Sequence, residues 1–212
     1  MITQSNRTIY LASRSPRRRE LLAQIGVRFQ LLLFRAEPRP DRDLDETVLT
    51  GETPRSYVAR VARVKAEAGW LRLQKRNLPL APVLAADTTV ALDNRILGTP
   101  IDRKEAAEIL AALSGRRHEV LTALALRHEE LVESALSVSE VEFRALGADE
   151  IERYIASGEA DDKAGAYAIQ GRAAQFIVEM RGSYSGIMGL PLYETAQLLE
   201  RAGRPRDRRN TD

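Results

Sequence analysis

The run VLTALALRHEELVESALSVSEVEF, residues 120–143, reads as two long strands, Val120 to Arg127 and Leu131 to Phe143, folded back on each other around His128-Glu129-Glu130. Two strands joined by so short a turn must be antiparallel. Outward from this hairpin the pattern changes, and strands alternate with helices. Thr8 to Ser13 is β-prone, and a helix follows with Ser15 as N-cap, Pro16 in its first position and Gly26 beyond its end. Phe29 to Phe34 reads as a strand. Thr53-Pro54 opens a helix to about Trp70, with Val58, Val61, Ala62 and Ala68 on its apolar face, and residues 72–79 read as a polar connection. Pro82 to Asp87 is an apolar strand, resumed after a turn by Val90 to Leu92. Asp93-Asn94 marks a hairpin tip, with Ile96-Leu97 returning, and Asp102 caps a helix over Arg103 to Leu113. Ala148 to Ser157 is a further helix, Gln175 to Met180 a strand and Pro191 to Ala202 the last helix. Interleaving with one antiparallel stretch predicts an α/β fold on a mixed sheet.

Composition sets limits. The chain has 212 residues, 44% hydrophobic and 29% charged, which is globular usage and enough for one large domain or two modest lobes. Cysteine is absent, so disulfides and thiolate chemistry are excluded, in keeping with a reducing cytoplasm. With His118 and His128 as its two histidines, a metal would be a hard cation on carboxylates. The sequence has no apolar run long enough to span a bilayer, and Met1 to Arg7 lacks the apolar segment of a signal peptide, so no membrane is expected. The balance of 32 Lys+Arg against 30 Asp+Glu gives a net charge of +2, too small to point to nucleic acid. Residues 1–7 read as a disordered N-terminus and 203–212 as a flexible Arg-rich tail, more in the manner of a frayed end than of a binding arm.

Four features carry chemistry. The first is Ser13-Arg14-Ser15-Pro16-Arg17-Arg18. A helix N-terminus is partially positive, so arginines there are misplaced unless they point into water or a phosphate sits among them, held by amides, the Ser13 hydroxyl and guanidinium groups. The second is Lys65, which helical spacing puts on the apolar stripe, where it either snorkels or points into a cleft. Arg55, Arg60 and Arg63 lie off that stripe and need no function. The third is Asp87, at the end of the strand PVLAA, either a turn residue or a carboxylate for a metal or a water. The fourth is Gly158 to Gly171, where glycines permit close approach and Gln170 offers a paired donor and acceptor to a base edge. A long acidic loop, residues 36–53, holds Glu37, Asp41, Asp43, Asp45 and Glu46. Together these features suggest a site for nucleotide phosphates.

The segments LASRSPRRRELLAQIG, AADT at 85–88, ILGTP at 96–100, SGRRHEV at 114–120, DKAGAYAIQG at 162–171 and GLPLYETAQLL near the end resemble the Maf family, in the family's order and over roughly residues 8–202. The resemblance implies a single domain of two lobes around a deep cleft, on an elongated, twisted mixed sheet with flanking helices of inosine-triphosphatase type, with a tendency to form homodimers. It implies hydrolysis of nucleoside triphosphates to monophosphate and pyrophosphate with a divalent cation, Mg²⁺ or Mn²⁺. By the same resemblance Asp87 is the catalytic acid, and Glu46 joins it in holding metal. Ser13, Arg17, Arg18 and Lys65 match phosphate-binding positions, and Lys163 counts with them as substrate-binding. Arg17, Thr88 and Gln170 match positions tied to base preference. AYAIQG looks like the branch that prefers dTTP and UTP. The alternatives are a pyrophosphatase for a modified nucleotide such as 7-methyl-GTP, and a weakly catalytic nucleotide-binding regulator of cell division. The sequence departs from the family pattern at Thr99, where lysine is usual, and at Ala168, where glycine is usual.

Overall fold

The structure is a computed structural model and describes residues 8–34 and 45–203. The N-terminal stretch 1–7, the loop acids Glu37, Asp41 and Asp43, and the tail from 204 onward lie outside the described residues. The elements are β1 (Ile9–Leu11), α1 (Pro16–Gln24), β2 (Phe29–Leu31), α2 (Pro54–Lys75), β3 (Val83–Leu92), β4 (Arg95–Leu97), α3 (Arg103–Leu113), β5 (Arg117–His128), β6 (Leu131–Phe143), α4 (Ala148–Ala156), β7 (Ile177–Arg181), α5 (Tyr184–Ile187) and α6 (Leu192–Gly203). The seven strands form one sheet in the order β2-β1-β3-β5-β6-β7, with β4 paired to the far half of β3. β1 runs parallel to both β2 and β3, and the remaining pairings are antiparallel. The expected mixed α/β sheet with flanking helices is therefore present.

The hairpin at 120–143 forms as its sequence indicates, with His128 opposite Leu131 and a two-residue turn in which Glu129 has φ +53°. The Asp93-Asn94 tip takes positive φ at both residues, which suits the twist of a tight hairpin. Ser15, Thr53 and Asp102 cap their helices through side-chain oxygens.

Four expectations need correction. β3 is one unbroken strand and makes no turn at Thr88-Thr89. Nine consecutive residues, Val83 to Ala91, pair with β5, so the ladder continues past the polar DTT triplet. Helix α2 runs on to Lys75 and does not end at Trp70, because fully buried Leu73 extends the apolar stripe into the stretch expected to be a polar connection. Gly69 allows this helix to lie close to the sheet, since a β-carbon there would stand 2.8 Å from Val83 Cγ1. β2 stops at Leu31, beyond which β1 has no further residue to pair with it. β7 begins at Ile177 because residues 172–176 form a 3₁₀ turn.

Apolar side chains collect in three clusters. Tyr10, Ala12, Val83, Ala85 and Ala123 meet Val58, Ala62, Ala66 and Trp70 of α2 on one face. Leu84, Ala86, Leu124 and Leu126 meet Leu21 and Leu22 of α1 and Leu198 of α6 on the other. The third cluster lies along the opposite half of the sheet, where Val90, Leu92, Val120, Val141 and Phe143 pack with α3, α4 and the 158–176 stretch. On β3 the α1-face cluster ends at Ala86 and the third begins at Val90, while the α2-face cluster is interrupted between Ala85 and Ala91. The polar residues Asp87, Thr88 and Thr89 occupy the gap.

Candidate active site

Strand periodicity assigns the two sides of this gap. Odd positions of β3 face α2 and even ones face α1, so Asp87 and Thr88 point opposite ways. β1 pairs with β3 only as far as Leu84, and Ala12 N–H donates to Leu84 O at 2.8 Å. Asp87 thus lies just past the carboxyl end of the parallel strands, beside Ser13 and the start of α1, where open α/β sheets place ligands.

On the α1 side, Arg18 is fully engaged. Its Nε donates to Gly189 O at 2.7 Å, Nη1 to Ala86 O at 2.7 Å and Nη2 to Thr88 Oγ1 at 3.1 Å. Gly189, at φ +109°, comes close to this group. Thr122 Oγ1 donates to Gly186 O at 2.7 Å, so the 2.9 Å contact between Thr88 and Thr122 must carry the Thr88 proton. Polarity therefore runs one way, from Arg18 through Thr88 and Thr122 to a carbonyl, and Thr88 can offer a ligand only a lone pair. Burial lowers the Arg18 pKa, against the opposing charges of Asp87 and Glu46. The guanidinium thus brings a fixed positive charge close to both acids.

The helix N-terminus is less open than its sequence suggests. Ser15 N–H goes to Ser13 Oγ, Arg18 N–H to Ser15 Oγ and Arg19 N–H to Ser15 O. A phosphate there would draw on the Arg17 amide and on side chains. Ser13 is buried and accepts from both Ser15 and Arg18, which leaves its own proton to give.

On the α2 side, Lys65 points into the gap and does not snorkel. Its Nζ donates to Asp87 Oδ1 at 2.8 Å and to Glu46 Oε2 at 2.9 Å. Asp87 is 7% exposed and lies within β3, neither a turn residue nor a strand end. The carboxylate deep in the sheet and the one on the exposed loop thus share one ammonium. Among the described residues no cluster of three or more His, Cys, Asp or Glu could hold a metal alone. Two hard oxygen donors facing one cation do suit Mg²⁺, which takes one or two carboxylates and completes its shell with phosphates and water.

The remaining candidates lie on the far side of the gap. Arg17 is half-buried and burial lowers its pKa, against an opposing effect of Tyr154 and then of Glu20. Tyr154 Oη accepts from the Ala168 amide at 3.1 Å, which ties α4 to the stretch carrying Gln170. Gln170 is exposed, and Lys163 is paired with Asp162. The Gly165 amide donates to Gly98 O at 3.0 Å, which brings this stretch against the loop of Thr99, itself exposed. Ala168 is not among the residues with positive φ, so alanine costs nothing there.

Sequence reasoning missed two residues. Arg60, dismissed as an off-stripe arginine, grips the acidic loop, and Tyr57 donates to Glu46 O at 3.2 Å. Burial, and then the charges of Asp87 and Glu46, push the Tyr57 pKa up to about 12, so its hydroxyl stays a donor. Spacing could have shown that both lie one turn or more from Lys65 on the same helix. It could not have shown that the loop folds onto them.

A buried hydroxyl, a guanidinium and an ammonium thus gather beside paired acids in a mixed α/β protein. A sequence model described as Maf-like protein matches residues 8–202, and the chain belongs to that family. It is 57% identical over 203 residues to the dTTP/UTP pyrophosphatase of Nitrosomonas europaea, covering 96% of this chain and 98% of that one. It is 62% identical over 198 residues to the dTTP/UTP pyrophosphatase of Aromatoleum aromaticum, covering 93% and 96%. Among solved structures, the Staphylococcus aureus Ham1 protein aligns with a TM-score of 0.48 at 16% identity, covering 92% of this chain and 99% of that one.

Proposed function

We propose that this chain hydrolyses nucleoside triphosphates, dTTP and UTP before others, at the α–β phosphoanhydride, releasing the monophosphate and pyrophosphate. Its relatives named above are dTTP/UTP pyrophosphatases over nearly their whole length. The observation that carries the mechanism is the Asp87–Lys65–Glu46 arrangement, a carboxylate in the sheet with one oxygen on the lysine and the other without a hydrogen-bond partner among the described residues. We read residues 8–202 as one domain whose two lobes meet at Asp87, because the apolar clusters part there.

Water attacks the α-phosphorus and gives its proton to Asp87 Oδ2. The bond to the bridging oxygen breaks, and its electron pair leaves on the pyrophosphate. Lys65, Arg17, Lys163 and the Ser13 hydroxyl offset that charge in a partly dry crevice, with Arg18 contributing at short range while it holds α1 to β3. A divalent cation held by Asp87 and Glu46, Mg²⁺ or Mn²⁺, would neutralise phosphate charge when bound. Thr88 presents only a lone pair, which matches the N3–H of thymine and uracil and mismatches the N3 acceptor of cytosine. Gln170 supplies a donor and an acceptor to the same edge.

In an Asp87→Asn protein, turnover of dTTP should fall roughly 10²- to 10⁴-fold, while nucleotide binding, measured by calorimetry, persists. Turnover within a small factor of the parent removes the base role from Asp87.

A further inference from the structure

Residues 45–49 have no regular secondary structure, yet three consecutive carbonyls of this stretch are held by α2. Arg60 Nη1 donates to Asp45 O at 3.2 Å, Tyr57 Oη to Glu46 O at 3.2 Å and Arg60 Nη2 to Thr47 O at 2.8 Å. The same guanidinium makes a two-pronged contact with Glu52, Nε to Oε1 at 2.7 Å and Nη2 to Oε2 at 2.9 Å. Glu52 Oε2 also accepts from the Leu49 amide at 3.1 Å, and the Arg60 guanidinium lies 5.7 Å from the Tyr57 ring centre. Glu52 binds both arms of the fork and is itself fixed against the loop, so the arginine is held from two directions. The result is a clamp that spans one helical turn, from Tyr57 to Arg60, and grips backbone.

Gripping backbone fixes position without choosing sequence. Within the gripped residues Glu46 alone reaches the gap, through Lys65. Its side chain is half exposed and meets Lys65 at its tip. Left to itself, a carboxylate on an unstructured loop would lose conformational freedom on binding a cation, and the clamp removes that freedom in advance. We infer that Arg60, with Tyr57 and Glu52, is a positioning device that holds Glu46 opposite Asp87, so that the cation meets both carboxylates at once. This rests on the metal role given to Asp87 and Glu46 above. Arg60 touches no substrate in this account and acts only through Glu46.

The test is a Mn²⁺ titration by electron paramagnetic resonance on the full chain without nucleotide. The parent, Arg60→Lys, Glu46→Gln and the Arg60→Lys/Glu46→Gln double variant are compared, with a thermal melt on each. Arg60→Lys keeps the charge and loses the fork. It should weaken Mn²⁺ binding roughly 10- to 100-fold, and the double variant should bind as Glu46→Gln does. Tyr57→Phe, which loses a single hydroxyl, should shift binding in the same direction by less, and it serves if Arg60→Lys melts early. Parent-like binding in folded Arg60→Lys and Tyr57→Phe overturns the proposal. So does a double variant weaker than Glu46→Gln by the full Arg60→Lys factor, or a parent that binds no better than Glu46→Gln. Pyrophosphate release is scored separately. A parent that binds Mn²⁺ through this cycle but releases no pyrophosphate would count against the hydrolase reading and leave the clamp standing.

Discussion

His118 and Tyr167 form a buried polar pair inside the third apolar cluster, Nε2 to Oη at 2.9 Å, with the Phe143 ring edge-on to both. Burial pushes the His118 pKa from 6.5 down to about 4 and raises that of Tyr167, so the native pair is neutral. In the unfolded chain the imidazole takes a proton near its ordinary pKa. The histidine therefore favours the fold above about pH 6.5, and that advantage drains away as pH falls towards about 4, on the order of 3 kcal/mol in all. Urea melts of the parent and His118→Gln between about pH 7 and about pH 4 should converge, the parent losing more stability on acidification. Parallel curves would mean that the imidazole takes up its proton in the fold as it does in the unfolded chain. Single residues were legible in the sequence to different depths. Lys65 stood out because an ammonium on an apolar stripe is an anomaly of spacing, and it does point into the gap. Arg60 was unremarkable because its partners are loop carbonyls, and backbone acceptors leave no trace in side-chain pattern.

At the scale of elements, the stretch after α4 lies tight against β3 at Gly165. Gly165 has φ +72°, and a β-carbon there would stand 2.6 Å from Val90 Cγ2. A Gly165→Ala protein must bear both left-handed strain and a clash with a core valine, a loss of about 2–4 kcal/mol by denaturant melt. A loss below about 1 kcal/mol would show that the stretch can lift off β3 freely. Helix caps and hairpins were readable because each rests on a few local residues, as with Ser15-Pro16 and Asp93-Asn94. The course of β3 was not. The triplet Asp87-Thr88-Thr89 has the composition of a turn, and only pairing with β5, distant in sequence, draws it straight. The end of α2 was hidden for a related reason. Leu73 is apolar among polar neighbours, and its burial depends on a sheet that local pattern does not reveal.

The whole molecule sets a polar gap between apolar clusters and brings to it side chains from four places in the chain. Ser13 and Arg18 come with α1, Glu46 with the clamped loop, Lys65 with α2 and Asp87 with β3. Thr88 and Arg18 lie on the far face of β3 from Lys65. Among the described residues no helix is long and apolar enough to cross a membrane. The most direct test of the account is pyrophosphate release from dTTP, UTP, CTP, GTP and 7-methyl-GTP, each with and without Mg²⁺. Mg²⁺-dependent release is expected from dTTP and UTP, with CTP poorer because its N3 cannot donate to Thr88. Release without metal, equal release from every nucleotide, or silence while nucleotide still binds would contradict it.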